Sequence, residues 1–259
     1  MPEILEIEYY RRAAESVLGR VVEKIHAPDD WYLKAGTAAA ELGASLVGRR
    51  FIAARRRGKL LLLDTDDGEA LGLRFGMTGR LVVDGSASIE QLEYSSDRDD
   101  PAWDRFGISF DRGELWIRDP RRLGGVMLGP DEAALGPDAL SLALAELRKA
   151  LGSSTTSLKA RLLDQRRVAG LGNLLTDEVL WRTGLAPVRE AGSLGADEVD
   201  ILHRGIGSTL DELLARGGSH TGDLQEHRVV GGRCPRDGEE LRREAVGGRT
   251  TYWCPAHQG

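Results

Sequence analysis

MPEILEIEYYRRAAESVLG (1–19) opens the chain, and its reading decides how the rest is assembled. Ile4, Leu5, Ile7, Tyr10, Ala14, Val17 and Leu18 recur at helical spacing and Gly19 stops the run. Residues 3–18 are therefore predicted to form an amphipathic helix. If Met1 is removed, Pro2 carries a free secondary amine beside that helix start, with Glu3 and Glu6 within one turn. An α-amino group titrates near pH ~8, so part of it is neutral at physiological pH. A neutral amine attacks a carbonyl-like carbon to give a Schiff base. An adjacent carboxylate can move the protons that such chemistry needs. The same residues also make an ordinary helix start, with Pro and Glu in the first turn.

The chain has 259 residues, 41% of them hydrophobic, enough for one large domain or two of ordinary size. No apolar run approaches a membrane span and no signal peptide is visible, so a soluble, cytoplasmic chain is expected. The net charge is −6 and the pI about 5.5, unlike an indiscriminate nucleic-acid binder. Basic residues nevertheless collect in RRRGK (55–59), DPRR (119–122), KARLLDQRR (159–167) and the C-terminal tail. Cys234 and Cys254 are the only cysteines, which fits a local metal site or buried thiols better than a disulfide scaffold.

After Gly19 the period changes. Short apolar runs, among them FIAARRR (51–57), KLLLLDT (59–65), ALGLRFG (70–76), RLVVDG (80–85), RFGISF (105–110), ELWIRD (114–119) and GVML (125–128), are separated by Gly and charged turns. DTDDGE (64–69) and DRGE (111–114) read as hairpin turns. Strands at this spacing imply a β-sandwich or barrel. Residues 33–47 offer a short helix. GPDEAALGPDAL (129–140) reads as a linker, and helices are expected near 138–150, 155–165, 173–183 and 197–216. From about 220 the chain is polar and Gly-rich, and 233–258 reads as a small hairpin.

In order along the chain, several motifs resemble those of the formamidopyrimidine-DNA glycosylase / endonuclease VIII family of bifunctional repair enzymes. MPEILEIE (1–8) resembles the family's MPELPEVE, with Leu5 in place of a proline and Glu6 matching a characteristic glutamate. RRRGKLLLL (55–63) resembles RRGKYLLL, LRFGMTGRL (73–81) resembles HLGMSGRL, and RDPRRLGG (118–125) resembles the DPRRFG loop. SLKARLLDQRRVAGLGNLLTDEVLWRTGLAP (157–187) resembles the helix–two-turn–helix element. GGRTTYWCPAHQG (247–259) resembles the last hairpin of the zinc finger.

The resemblance implies an α+β fold of two domains. Residues 1–128 would form an N-terminal β-sandwich with flanking helices. After the 129–140 linker, residues 141–219 would form the helix–two-turn–helix domain and 220–259 a zinc-finger-like hairpin. Pro2 would attack C1′ of a damaged nucleotide, Glu3 would handle protons at the deoxyribose, and Lys59 would pair with the flanking phosphate and assist at the sugar. Met77 would enter the gap left by an everted nucleotide, since unstacked bases tolerate an apolar wedge. Arg121 would partner the orphaned base by bidentate hydrogen bonding, with Leu123 replacing the usual phenylalanine beside it. Lys159 would contact phosphate, GLGN with Asn173 would seat phosphate at a helix N-terminus, and Arg249 would grip phosphates from the hairpin tip. Asp177 and Glu178 fit an exposed first turn and carry no assigned chemistry.

The usual finger is two C-x-x-C pairs. Here Cys234, Asp237, Cys254 and His257 keep that spacing, which implies Zn²⁺ in a mixed site. The alternative is a hairpin held without metal by Tyr252 and Trp253. The segment TGDLQEHRVVGGR (221–233) is shorter than the loop with which the family often covers a flipped 8-oxoguanine. The expected function is therefore a monomeric glycosylase and abasic-site lyase acting on damaged double-stranded DNA in base excision repair, without membrane association. Its rivals are a specialist for pyrimidine or bulky lesions, a binder of distorted DNA that has lost catalysis, and a two-domain protein with no nucleic-acid role.

Overall fold

The structure, a computed structural model, describes residues 2–66, 68–89, 92, 98 and 100–259. Met1 and Asp67 of the DTDDGE turn lie outside the described residues. The chain divides into two compact units. The first comprises Pro2 and Glu6–Glu132, the second Glu3–Leu5 and Ala133–Gly259. The break at Glu132 falls inside 129–140. Three N-terminal residues belong to the second unit, and the C-terminal hairpin is not a unit of its own.

In the first unit, strands β1 (Val22–His26), β2 (Phe51–Arg57), β3 (Leu60–Thr65), β4 (Leu71–Arg74), β5 (Arg80–Val83), β6 (Ser86–Ala87), β7 (Asp104–Phe110), β8 (Glu114–Arg118) and β9 (Gly125–Leu128) make two antiparallel sheets. Their orders are β1-β7-β8-β5-β6 and β2-β3-β4-β9. One core unites them: Phe51, Leu61, Leu63 and Leu73 from one sheet meet Phe106, Ile108 and Ile117 from the other. Helix α1 (Ile4–Ala14) adds Ile7, Tyr10 and Ala14, and α2 (Ala39–Leu46) adds Leu42 and Leu46. This is the sandwich that the strand spacing implied.

Strand β3 lies between β2 and β4, and all four leucines from Leu60 to Leu63 are buried. A run that is apolar on both faces is what such a doubly covered strand requires. Gly58 and Lys59 form the two-residue turn into β3, with Gly58 at φ +57°. That left-handed geometry favours glycine and brings the chain straight back on itself. Strands β1 and β6 were not singled out in the sequence. In β1 the exposed Glu23 and Lys24 hide the alternation.

The second unit contains α3 (Leu144–Leu151), α4 (Leu158–Leu163), α5 (Asn173–Thr183), α6 (Ala196–Arg216) and the hairpin β10 (Arg242–Val246)–β11 (Arg249–Trp253). The helix expected from 138 starts instead at Leu144. The Asp138 carboxylate accepts from Leu140 N at 3.1 Å and sets up a separate 3₁₀ turn first. Every residue of α5 from Leu174 to Trp181 is buried, so α5 is the centre of the unit. Leu5, Leu147, Leu162, Leu175, Leu180, Leu202 and Leu210 belong to its core.

Candidate active site and nucleic-acid interface

The first four N–H groups of an α-helix have no acceptor within the helix. In α5, Leu174 N and Leu175 N donate to the Glu3 carboxylate, at 2.8 Å to Oε1 and 3.3 Å to Oε2. Glu3 is fully buried, and its charge faces the positive end of the helix dipole. The glycines of GLGN make this possible. A Cβ on Gly172 would lie 2.1 Å from Glu3 Cδ, and one on Gly170 would lie 2.3 Å from Ile4 Cδ1. Ile4 N also donates to Gly170 O at 3.2 Å. Two amides of the helix start expected to seat a phosphate are thus taken by Glu3. Pro2 is buried and covalently next to Glu3.

Asn173 Nδ2 donates one of its two hydrogens to Thr250 O of β11 at 3.0 Å, which ties the start of α5 to the hairpin. Lys159 reaches the same strand and corrects a second expectation. It is fully buried, 2.6 Å from Asp177 Oδ1, and donates to Thr251 Oγ1 at 2.8 Å and to Thr250 O at 3.3 Å. Its head cannot meet a phosphate from there. Burial pulls the Lys159 ammonium below the usual lysine value, against the pull of Asp177. Asp177 and Glu178 are likewise buried, not exposed first-turn acids. Asp177 also pairs with Arg228 and accepts from Tyr252 N at 3.3 Å. Glu178 pairs with Arg182 at 2.7 Å and accepts from Asp223 N and Leu224 N. The Asn173, Lys159 and Asp177 bonds to Thr250, Thr251 and Tyr252 fix the hairpin. Its turn, Gly247-Gly248, has both φ values positive, and Arg249 stands exposed just beyond it.

In the first unit, one buried carboxylate organises two loops. Asp119 accepts from Thr78 Oγ1 at 2.5 Å and Arg121 N at 3.2 Å through Oδ1. It accepts from Gly124 N at 2.9 Å and Tyr32 OH at 3.3 Å through Oδ2. Met77 and Arg121, Leu123 therefore sit on loops tied to the same residue. A Cβ on Gly76 would lie 2.4 Å from the Leu123 carbonyl carbon, so the two loops touch through backbone. Arg122, at φ +56°, bends back to Asp29 with two 2.6 Å bonds. Its neighbours Arg121 and Leu123 are left outward, Leu123 being 53% exposed. Lys59 is half-buried at its hairpin turn. Arg56 braces that turn by donating to Gly58 O at 3.2 Å and to Glu8 of α1 at 3.3 Å.

Cys234, Asp237, Cys254 and His257 converge, each offering one ligand atom within 4.8 Å of the others. His257 Nε2 lies 3.2 Å from Trp181 O, and a carbonyl can only accept, so that nitrogen carries the proton. Nδ1 faces Asp237 Oδ2 at 2.7 Å. This nitrogen, the carboxylate oxygen and two sulfur atoms at this range call for a shared cation or proton. The Glu239 amide and His257 hold Asp237 well below the usual carboxylate range, while burial pushes the Cys254 thiol up to about 11. The quartet can hold a metal ion.

Residues 1–126 match the formamidopyrimidine-DNA glycosylase N-terminal domain, and residues 135–224 match the formamidopyrimidine-DNA glycosylase H2TH domain. The chain is 38% identical over 294 residues to the formamidopyrimidine-DNA glycosylase of Cereibacter sphaeroides, with both chains covered completely. It is 34% identical over 286 residues to that of Thermus thermophilus, covering 100% of this chain and 99% of the relative. A solved complex of Lactococcus lactis Fpg with DNA containing an abasic site superposes at a TM-score of 0.84, with 27% identity and full coverage of both chains.

This chain belongs to the formamidopyrimidine-DNA glycosylase family. For a family member, its motifs carry more positioning chemistry than their residue types announce. Asp119 and Thr78 escaped the sequence reading although both lie within quoted motifs, because a buried carboxylate among arginines reads as one more surface charge. Asp177 escaped for the same reason.

Lys159→Met would strand Asp177 in the interior with Arg228 as its one remaining ion-pair partner among the described residues. Loss of one partner from a buried pair costs about 3–5 kcal/mol. Urea unfolding is expected to show a loss of that size, and unchanged stability would contradict the assignment.

Proposed function

We infer that this chain is a bifunctional DNA glycosylase and abasic-site lyase of base excision repair, acting as a monomer on damaged double-stranded DNA. The observation that carries the reading is the Glu3 carboxylate held on the Leu174 and Leu175 amides, which fixes a proton-handling group beside Pro2. Family membership and the abasic-site complex of the Lactococcus lactis relative support it.

With Met1 removed, the Pro2 nitrogen donates its lone pair to C1′ and the damaged base leaves with the glycosidic electron pair. Glu3 takes up the proton that the Pro2 nitrogen loses and delivers it to the ring oxygen as the sugar opens to an iminium. Loss of a C2′ proton then expels the 3′ phosphate, and a second elimination expels the 5′ phosphate. Lys59 pairs with the flanking phosphate. Met77, Arg121 and Leu123 fill the vacated space, and Arg249 holds phosphates from the hairpin tip.

A second reading concerns the lesion. Leu123 is exposed where an aromatic ring is usual, and the short 221–233 segment exposes Val229 and Val230. These features favour oxidised pyrimidines or bulky adducts over 8-oxoguanine, and a panel of lesion duplexes separates the two preferences.

Cys234, Asp237, Cys254 and His257 would hold Zn²⁺, which would serve to pin the base of the hairpin. Metal analysis of purified protein is expected to find one zinc per chain, with chelation lowering the Tm. A metal-free protein whose Tm ignores chelator would refute the zinc assignment.

The lyase is tested with an abasic-site duplex and borohydride, alongside intact-mass analysis of the N-terminus. A protein–DNA adduct is expected from chains that lack Met1. Processed chains that form no adduct would contradict the mechanism.

A further inference from the structure

Trp31 is 67% exposed, an unusual position for an indole unless it meets a partner. Its backbone, by contrast, is firmly held. It lies in a single 3₁₀ turn, Asp30–Tyr32, capped by Asp29, whose Oδ1 accepts from Trp31 N at 3.2 Å. Asp29 is also the residue that clamps Arg122. Tyr32, fully buried, hydrogen-bonds Asp119. Lys34 N donates to Val126 O at 2.8 Å, and the Lys34 stem crosses Gly125, where a Cβ would lie 2.4 Å from its Cγ. The turn that presents Trp31 thus shares both of its anchoring carboxylates with the loop that presents Arg121 and Leu123.

The ring is also chemically prepared. Lys34 Nζ lies 4.5 Å from the indole centroid and is held there by Trp31 O at 2.5 Å. A cation on one face leaves the other face for a flat, electron-poor partner, and keeps positive charge at hand for a phosphate. Aromatic rings beside cations are how proteins stack nucleobases without reading their edges. A protein partner would instead ask for a contiguous apolar patch.

We propose that Trp31, backed by Lys34, is a stacking platform for a nucleobase of the strand opposite the lesion, the strand assigned to Arg121. This rests on the proposed function. Because the platform and the Arg121 loop are tied through Asp29 and Asp119, the two contacts are made together.

The test compares wild type, Trp31→Ala and Trp31→Phe by equilibrium binding to a duplex carrying a tetrahydrofuran abasic analogue, and to the same lesion strand alone. Thermal melting confirms that each variant folds, as an exposed side chain allows. Trp31→Ala is expected to weaken duplex binding roughly tenfold or more, the size of one lost base–aromatic stack. Trp31→Phe should retain most of the affinity, and single-strand binding should be equal for all three proteins. Duplex binding by Trp31→Ala at the wild-type level would overturn the proposal, as would an equal loss on the single strand. Borohydride trapping of the wild type separates the two levels. A wild type that traps normally beside an unaffected Trp31→Ala overturns this inference alone, whereas a wild type that neither binds nor traps overturns the functional reading with it.

Discussion

A carboxylate set against the first turn of a helix is the contact on which the candidate catalytic apparatus depends. Glu3 supplies the acceptor that Leu174 N and Leu175 N lack within α5. The arrangement reaches across 171 positions of sequence, and much of the local chemistry follows from it. Gly172 must lack a side chain so that the carboxylate can approach, Gly170 must lack one for Ile4, and Leu5 must be apolar because it enters the core of the second unit. A terminus that would otherwise fray is drawn into the interior, with Pro2 at its end.

The same device recurs at two other places. Asp119 gathers Thr78, Arg121 and Gly124, and so sets the loops bearing Met77 and Leu123. Asp177 gathers Lys159, Arg228 and Tyr252, and so sets the hairpin bearing Arg249. Each buried acid is satisfied by several donors, as a charge removed from water must be. Each holds a segment whose candidate side chain, Leu123 or Arg249, is left outward. Part of the acidic count thus lies inside, since Glu3, Asp119, Asp177 and Glu178 are internal and committed, as is Lys159.

This division also explains what could be read in advance. The strand runs 51–57 and 125–128 and the helix 173–183 carry their own periodicity and end signals, and the structure reproduces their bounds. The Cys234, Asp237, Cys254 and His257 cluster was legible because its spacing is local within each pair. Lys159 was not, because a lysine on a helix reads as solvated until its partner, Asp177, is placed opposite it. Glu3 was read as a proton-handling group, and its place as the cap of a helix was not legible; GLGN was legible as a helix start but not as one whose amides meet Glu3. Long-range polar pairing leaves no periodic trace, so these parts of the site needed coordinates.

Amide hydrogen exchange at Leu174 and Leu175 tests the central contact most directly. Neither amide has an acceptor within α5, and both donate to Glu3. The account predicts slow exchange at both positions in the wild type, and exchange at least tenfold faster in Glu3→Ala while Leu180 stays protected. Rapid exchange at these amides in the wild type, or rates that ignore the substitution, would contradict it.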